Sequence, residues 1–343
     1  MKNENFKFDW PLVGNTHITE FLGKSIVGER LSSVYIFNGP DNLGKTTLAN
    51  YFAQILLCSN RSGGPCGQCP SCRSFLLKSG DNLDLGNAHA DFFLLKKEKD
   101  RKNISVEQTR DFIRFLNMSS FVGGCKVGVI KHADSLSTEA ANALLKTLEE
   151  PQANTVVILI TKDADRLPQT IVSRSQVLNF RLVDTDTIYS YLADKIGVGR
   201  GDAKNFSRLS LGRPALALKF WEDQEFRNKY ENRVEMFLTF LRQDVNGRLS
   251  ALDILFDKKI QGQEAVTLAK RTLEVWQGVV RDFILLMFNH NNLVQHYQVE
   301  NIGRLNLSLA DWLHFLRLCQ QGEKYLNANV SPKSVLENIA INI

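Results

Sequence analysis

The stretch SVYIFNGPDNLGKTTLANYFAQILLC, Ser33–Cys58, runs from a short apolar segment through a glycine turn into a helical pattern. Gly39, Gly44, Lys45 and Thr46 stand at the spacing G-x-x-x-x-G-K-[ST], and the strand before and helix after give that spacing its meaning. Glycines let backbone N–H groups turn inward around an anion, and the following helix adds its positive dipole end. Lys45 would reach the β- and γ-phosphates of a nucleotide, and Thr46 would offer a hydroxyl to Mg²⁺. With Thr47 these residues form the predicted nucleotide-binding set.

Outward from this loop the first half of the chain alternates. KVGVIKHA (126–133) and TVVILIT (155–161) are strand-like, and STEAANALLKTLEE (137–150) between them is helix-like. Strands alternating with helices predict an α/β layer, a parallel sheet with flanking helices. In ISVEQTRDFIRFLNM (104–118), Ser105 and Gln108 have capping-box spacing, and Val106, Thr109, Ile113 and Leu116 fall on one face, expected to be core. After about residue 181 the strand signals fade. TDTIYSYLADKI and PALALKFW suggest short helices over 182–222, and 223–343 is helical in pattern. Trp276, Val280, Phe283 and Met287 make one stripe there, expected to be core packing rather than a cofactor site.

A phosphate loop alone does not hydrolyse ATP. In a working ATPase of this fold a second apolar strand ends in an acid that anchors Mg²⁺, often beside a glutamate that orients water. Here the strand KVGVI is followed by Lys131 and His132. A protonated lysine cannot coordinate magnesium, and loss of one positioned base removes about 10²–10⁴ in rate. Asp134, three residues beyond Lys131, lies past the expected strand end and is a weak substitute.

Cys58, Cys66, Cys69 and Cys72 give two overlapping C-x-x-C steps after a cysteine at a helix end. Four thiolates in a short Gly/Pro/Ser-rich loop could close a tetrahedral, structural Zn²⁺ site at 58–72 with no position left for water. A redox pair with Cys58 merely buried is the other reading. Cys125 and Cys319 are expected to be packed.

The bulk numbers narrow the class. The 343 residues carry a net charge of +5 and 43% hydrophobic residues, as an ordinary globular chain of two or three domains would. Such a charge permits nucleic-acid contact without requiring it. No apolar run is long enough for a signal peptide or a membrane span, so the expected location is cytoplasmic, with reduced thiols and no membrane partner.

Together the phosphate loop, the four cysteines after its helix, ANALLKTLEEP (Ala141–Pro151) and LPQTIVSRSQ (Leu167–Gln176) resemble the bacterial clamp-loader subunits of DNA polymerase III, the delta-prime and gamma/tau family. The similarity runs from about Pro11 to Leu218. It implies an α/β P-loop AAA+ domain (1–181), a small helical lid (182–222) and an all-α C-terminal collar (223–343) that serves oligomerisation. It also implies that Arg174, after Ser173, reaches in trans to ATP on a neighbouring subunit. The family's cysteine is Ser175 here, which leaves the guanidinium untouched. Thr161 matches a nucleotide-sensing polar residue or is a plain strand-end threonine. Ala215 stands where relatives carry a second sensing arginine, with Arg213 two residues early.

The implied function is a non-hydrolysing, delta-prime-type subunit. It would assist sliding-clamp loading onto primed DNA, within a hetero-pentamer of gamma/tau and delta subunits, with ATP as a ligand that is not split and no ATPase activity of its own. An active gamma/tau-type ATPase is the alternative. An unrelated zinc-bearing nucleotide switch or DNA-binding protein is a third reading; it predicts strong, steeply salt-dependent DNA affinity in isolation, and the modest charge argues against it.

Overall fold

The apolar runs become neighbouring parallel strands: β1 (Val34–Asn38), β2 (Phe92–Leu95), β3 (Lys126–Lys131), β4 (Thr155–Thr161) and β5 (Gln176–Asn179), in the order β2-β3-β4-β1-β5. The chain is seen in a computed structural model that describes residues 8–60, 63–76, 89–98, 101, 103–122, 124–256, 260–296 and 307–343. It divides into two units: Met1–Tyr191 with Gly212–Leu216, and Leu192–Leu211 with Ala217–Ile343. The expected lid, 182–222, is shared between the two.

Strand alternation sorts the side chains of the first unit into two layers. Tyr35, Phe37, Val127, Val129, Ile158 and Ile160 pack on one face, beneath α1 (Thr16–Val27) and α2 (Lys45–Leu57). Val34, Ile36, Ile130, Val157 and Leu159 pack on the other, beneath α4 (Val106–Asn117) and α5 (Thr138–Glu149). Both faces are covered, which is why β4 is buried along its whole length. A short α3 (Pro70–Leu76) follows the cysteine loop, and α6 (Gln169–Val172) precedes β5.

The capping box of α4 forms as expected. The Ser105 hydroxyl accepts from Gln108 N–H at 3.3 Å, and the Gln108 side chain accepts from Ser105 N–H at 3.1 Å. Its buried face differs from the expected one. Thr109 and Leu116 are buried, Val106 and Ile113 only half-buried, and Phe112 is buried in their stead. Phe112 turns toward a strand position without a side chain: a Cβ on Gly128 would lie 2.5 Å from its ring. Gly128→Ala is therefore expected to destabilise the chain by about 1–3 kcal/mol, read as a lowered midpoint in urea at unchanged slope.

Beyond the sheet come α7 (Thr185–Ser190), which runs into a π-helical turn at Tyr191–Ile196, then α8 (Arg200–Leu209) and α9 (Pro214–Glu222). The second unit continues with α10 (Gln224–Phe240), α11 (Val245–Leu255), α12 (Gly262–Met287), α13 (Leu309–Asn327) and α14 (Pro332–Ile341). Its core centres on Trp276 of α12, stacked on Phe237 at 5.1 Å and close to Phe240 and Phe315. Val280 and Phe283 are buried as the stripe predicts. Met287, in the last turn of α12, is 48% exposed, because the helix ends there. Asp282 is wholly buried and accepts from the backbone of Gln295 and His296 and from the His296 ring, whose other nitrogen meets the Tyr230 hydroxyl at 2.7 Å.

Candidate functional site

The phosphate loop leaves the carboxyl end of β1 and opens onto a cleft of about 290 Å³, at the edge where open α/β sheets bind ligands. Gly39 has φ 137° and Gly44 φ 86°. A Cβ on Gly39 would sit 2.5 Å from the Phe180 carbonyl oxygen, so only glycine fits this turn. Lys45, 6% exposed, folds inward and donates to the carbonyls of Gly39 and Pro40, the latter at 2.7 Å. Burial pulls its ammonium down to about 8, with Asp41 and Asp134 opposing and Lys162 adding to the shift. Gly44, Lys45, Thr46 and Thr47 line the cleft together, so the predicted nucleotide set is assembled apart from Gly39, which shapes the turn beneath.

Facing the loop at the end of β3 are Lys131 and His132, both on the cleft wall. Register puts Lys131 level with Ile160, and Ile160 in turn level with Phe37, one residue short of the loop. His132 adopts a left-handed conformation, φ 58°. Burial lowers the pKa of its imidazole, with Lys131 and Lys162 adding and Asp41 and Asp134 opposing. The carboxylates nearby are already engaged. Asp41 pairs with Lys162 at 2.5 Å, and Asp134, in a short turn of 3₁₀-helix, accepts from the Thr161 hydroxyl at 3.3 Å. Thr161 also holds Asp163, so its hydroxyl is turned to its own chain. The triphosphate of a nucleotide fits the loop. The Mg²⁺ that normally accompanies it does not fit this donor set, which offers Thr46 but an ammonium and an imidazole where a carboxylate is needed.

Arg174 stands at the opposite edge of the sheet. It lies just before β5, whose first residue pairs with Tyr35, and Gly39 is four residues beyond Tyr35, just past the end of β1, a rise of about 13 Å. Its own loop is out of reach. The side chain is 41% exposed; its guanidinium bonds Glu149 at 3.0 Å and the Thr170 carbonyl at 3.0 Å. The Ser175 hydroxyl donates to the Ile171 carbonyl at 2.7 Å, fixing the turn that carries Arg174. Glu149 escapes a reading of the sequence, being 25 positions away with no local signal.

The four cysteines converge. Their sulfurs all lie within 4.8 Å of one another, with Cys58 to Cys69 at 3.9 Å and Cys66 to Cys72 at 4.0 Å. A tetrahedron with metal–sulfur bonds of ~2.3 Å has sulfur–sulfur edges of about 3.8 Å. Backbone N–H groups of Asn60 and Cys66 point at Cys58 Sγ, that of Cys69 at Cys66 Sγ, and that of Cys72 at Cys69 Sγ. Burial raises the Cys58 and Cys72 thiols. Hydrogen bonds from the backbone lower Cys66; at Cys69 burial is outweighed by hydrogen bonds from the backbone and from the Cys72 and Cys66 side chains, which bring it to about 6. Four adjacent thiolates need a cation, and the set fits one held tetrahedrally. Cys125 and Cys319 are buried elsewhere, as expected.

The family described as "DNA polymerase III, delta subunit" matches residues 14–184, which contain the loop, the cysteines and Arg174. DNA polymerase III subunit delta' of Pseudomonas aeruginosa is 40% identical over 141 residues, and that of Haemophilus influenzae 33% identical over 226. The chain belongs to the delta-prime family of DNA polymerase III clamp-loader subunits.

The two delta-prime matches cover 41% and 65% of this chain, and 40% and 64% of the relatives. The tau/gamma subunit of H. influenzae is also similar, 33% identical over 183 residues, 53% of this chain and 25% of that one. A DNA polymerase III gamma subunit-related protein from Thermotoga maritima has the same fold: TM-score 0.54 at 16% identity, over 94% of this chain and 96% of that one. The family match, residues 14–184, ends before Arg213 and Ala215. Of these two, Ala215 lines the cleft, its N–H donating to the Asn42 carbonyl at 3.0 Å, and Arg213 does not. Among the described residues no helix is long and apolar enough to cross a membrane.

Proposed function

We propose that this chain is a non-hydrolysing, delta-prime-type subunit of the clamp loader, which holds ATP without splitting it and directs Arg174 at the nucleotide of a neighbouring gamma/tau-type ATPase. The observation that carries this is the pairing of a complete phosphate loop with Lys131 and His132 on the opposing wall. Gly39, Gly44, Lys45, Thr46 and Thr47 would cradle the phosphates. ATP would supply binding energy and order here, and no chemistry. Arg174, out of reach of its own loop, suits an arginine given to another subunit, where it would stabilise charge on the transferring phosphoryl group.

In this reading Cys58, Cys66, Cys69 and Cys72 hold a structural Zn²⁺. Residues 182–222 act as a lid and 223–343 as a collar that joins gamma/tau and delta subunits in a hetero-pentamer. The assembly loads the sliding clamp onto primed DNA in the cytoplasm. An active gamma/tau-type ATPase is the second reading, favoured by the intact loop and the tau/gamma likeness.

Titration of the purified chain with ATP, followed by its addition to gamma/tau-type ATPase subunits, tests the proposal. The chain is expected to bind ATP and to raise the partners' turnover. Lys45→Ala removes a charge-assisted contact of ~1.5–3 kcal/mol and is expected to weaken ATP binding by roughly 10- to 100-fold. A chain that neither joins nor stimulates those partners would count against the proposal.

A further inference from the structure

We propose that the cleft takes the triphosphate free of Mg²⁺, with the Lys131 ammonium standing where a carboxylate-held cation would otherwise sit. This rests on reading the cleft as a nucleotide site. It adds the form of the ligand.

The argument is one of donors and charge. Magnesium demands six oxygens in near-octahedral geometry and keeps several waters, which carboxylates or phosphates orient. The side-chain oxygens on the cleft lining are the hydroxyls of Thr46, Thr47 and Thr161, the last turned to its own chain, the Asn42 amide, and one carboxylate, Asp41, which is bound to Lys162. Asp134 is not on the lining and accepts from Thr161. An ammonium has three donors and no acceptor, so Lys131 cannot replace a metal ligand. It can replace the metal, because it presents positive charge and N–H donors to phosphate oxygens.

Charge on the wall points the same way. Lys131 lines the cleft with no ion pair among the described residues, Lys45 donates to the Gly39 and Pro40 carbonyls with Asp41 and Asp134 acting on it from farther off, Lys162 is matched by Asp41, and His132 is held toward its neutral form. The Lys131 ammonium, added to that of Lys45, favours the more negative, metal-free triphosphate. A divalent cation between the phosphates and β3 would be pressed against Lys131 by like-charge repulsion, and the carboxylate on the lining, Asp41, is already paired with Lys162.

The test is ATP binding by the full-length chain, measured by calorimetry in excess EDTA and again in excess Mg²⁺. Binding in EDTA is expected to equal or exceed binding in Mg²⁺. Lys131→Ala is expected to weaken the EDTA value by about tenfold or more, and Lys131→Arg to keep most of it. Thermal melts of both variants check that the fold is kept. Binding that is tenfold tighter with Mg²⁺, or indifferent to Lys131→Ala, overturns the inference while leaving the nucleotide site standing. No binding in either buffer, with Lys45→Ala indistinguishable from wild type, overturns both.

Discussion

Arg174→Ala in this chain is expected to lower ATP turnover at the neighbouring subunit's site by about 10³-fold or more, the usual worth of an arginine donated in trans. The loss should fall on rate and leave this chain's fold intact. Arg174 is exposed and contributes one surface ion pair, to Glu149, whose removal costs about 0–1 kcal/mol. Among the described residues two of its five N–H groups are engaged, by Glu149 and the Thr170 carbonyl. The others remain for phosphate oxygens, so these contacts orient the guanidinium without using it up. Lysine should not rescue, since a single ammonium cannot reproduce a planar fork held on one edge and binding on the other. The measurement is steady-state turnover of the partner ATPase reconstituted with wild-type or variant chain. Equal turnover with both would remove Arg174 from the mechanism.

Metal removal is the second large effect. Elemental analysis is expected to find one zinc per chain, lost in Cys72→Ser. Structural zinc is worth about 10–16 kcal/mol of apparent binding energy in small peptides, so the loop should not hold its form without it. The damage would spread from there. Cys58 closes the carboxyl end of α2, and Cys72 sits in α3, where Phe75 packs edge-on against Phe92 at 4.9 Å. Releasing that ring from the core is expected to lower the melting temperature by at least about 5 °C and to expose 58–76 to proteases. A chain free of zinc, with an unchanged melting temperature and a disulfide that forms reversibly, would support the redox reading of the C-x-x-C steps.

Legibility of the fold followed the strength of local signals. The loop was readable because glycine, lysine and threonine at fixed spacing leave few alternatives between a strand and a helix. The α4 cap was readable because Ser105 and Gln108 bond each other three residues apart. β2 gives no such signal: its four residues, FFLL, carry no alternation. β5 gives none either, being a polar edge strand in which only Leu178 is buried. Phe112 lost out to Ile113 because periodicity cannot see the gap that Gly128 leaves on β3. At the site, residue identity showed what was absent after KVGVI. Tertiary pairing of Glu149 with Arg174, Asp134 with Thr161, and Asp41 with Lys162 was beyond reach, since each joins segments far apart in the chain.

The central claim, a phosphate loop without an engine, is tested most directly by ATP turnover of the purified chain alone, beside Lys45→Ala. The account predicts release of phosphate no faster than that of the variant, although wild type binds ATP and the variant binds it poorly. Hydrolysis by the wild-type chain that Lys45→Ala abolishes would contradict it, and would move the gamma/tau-type reading to the front.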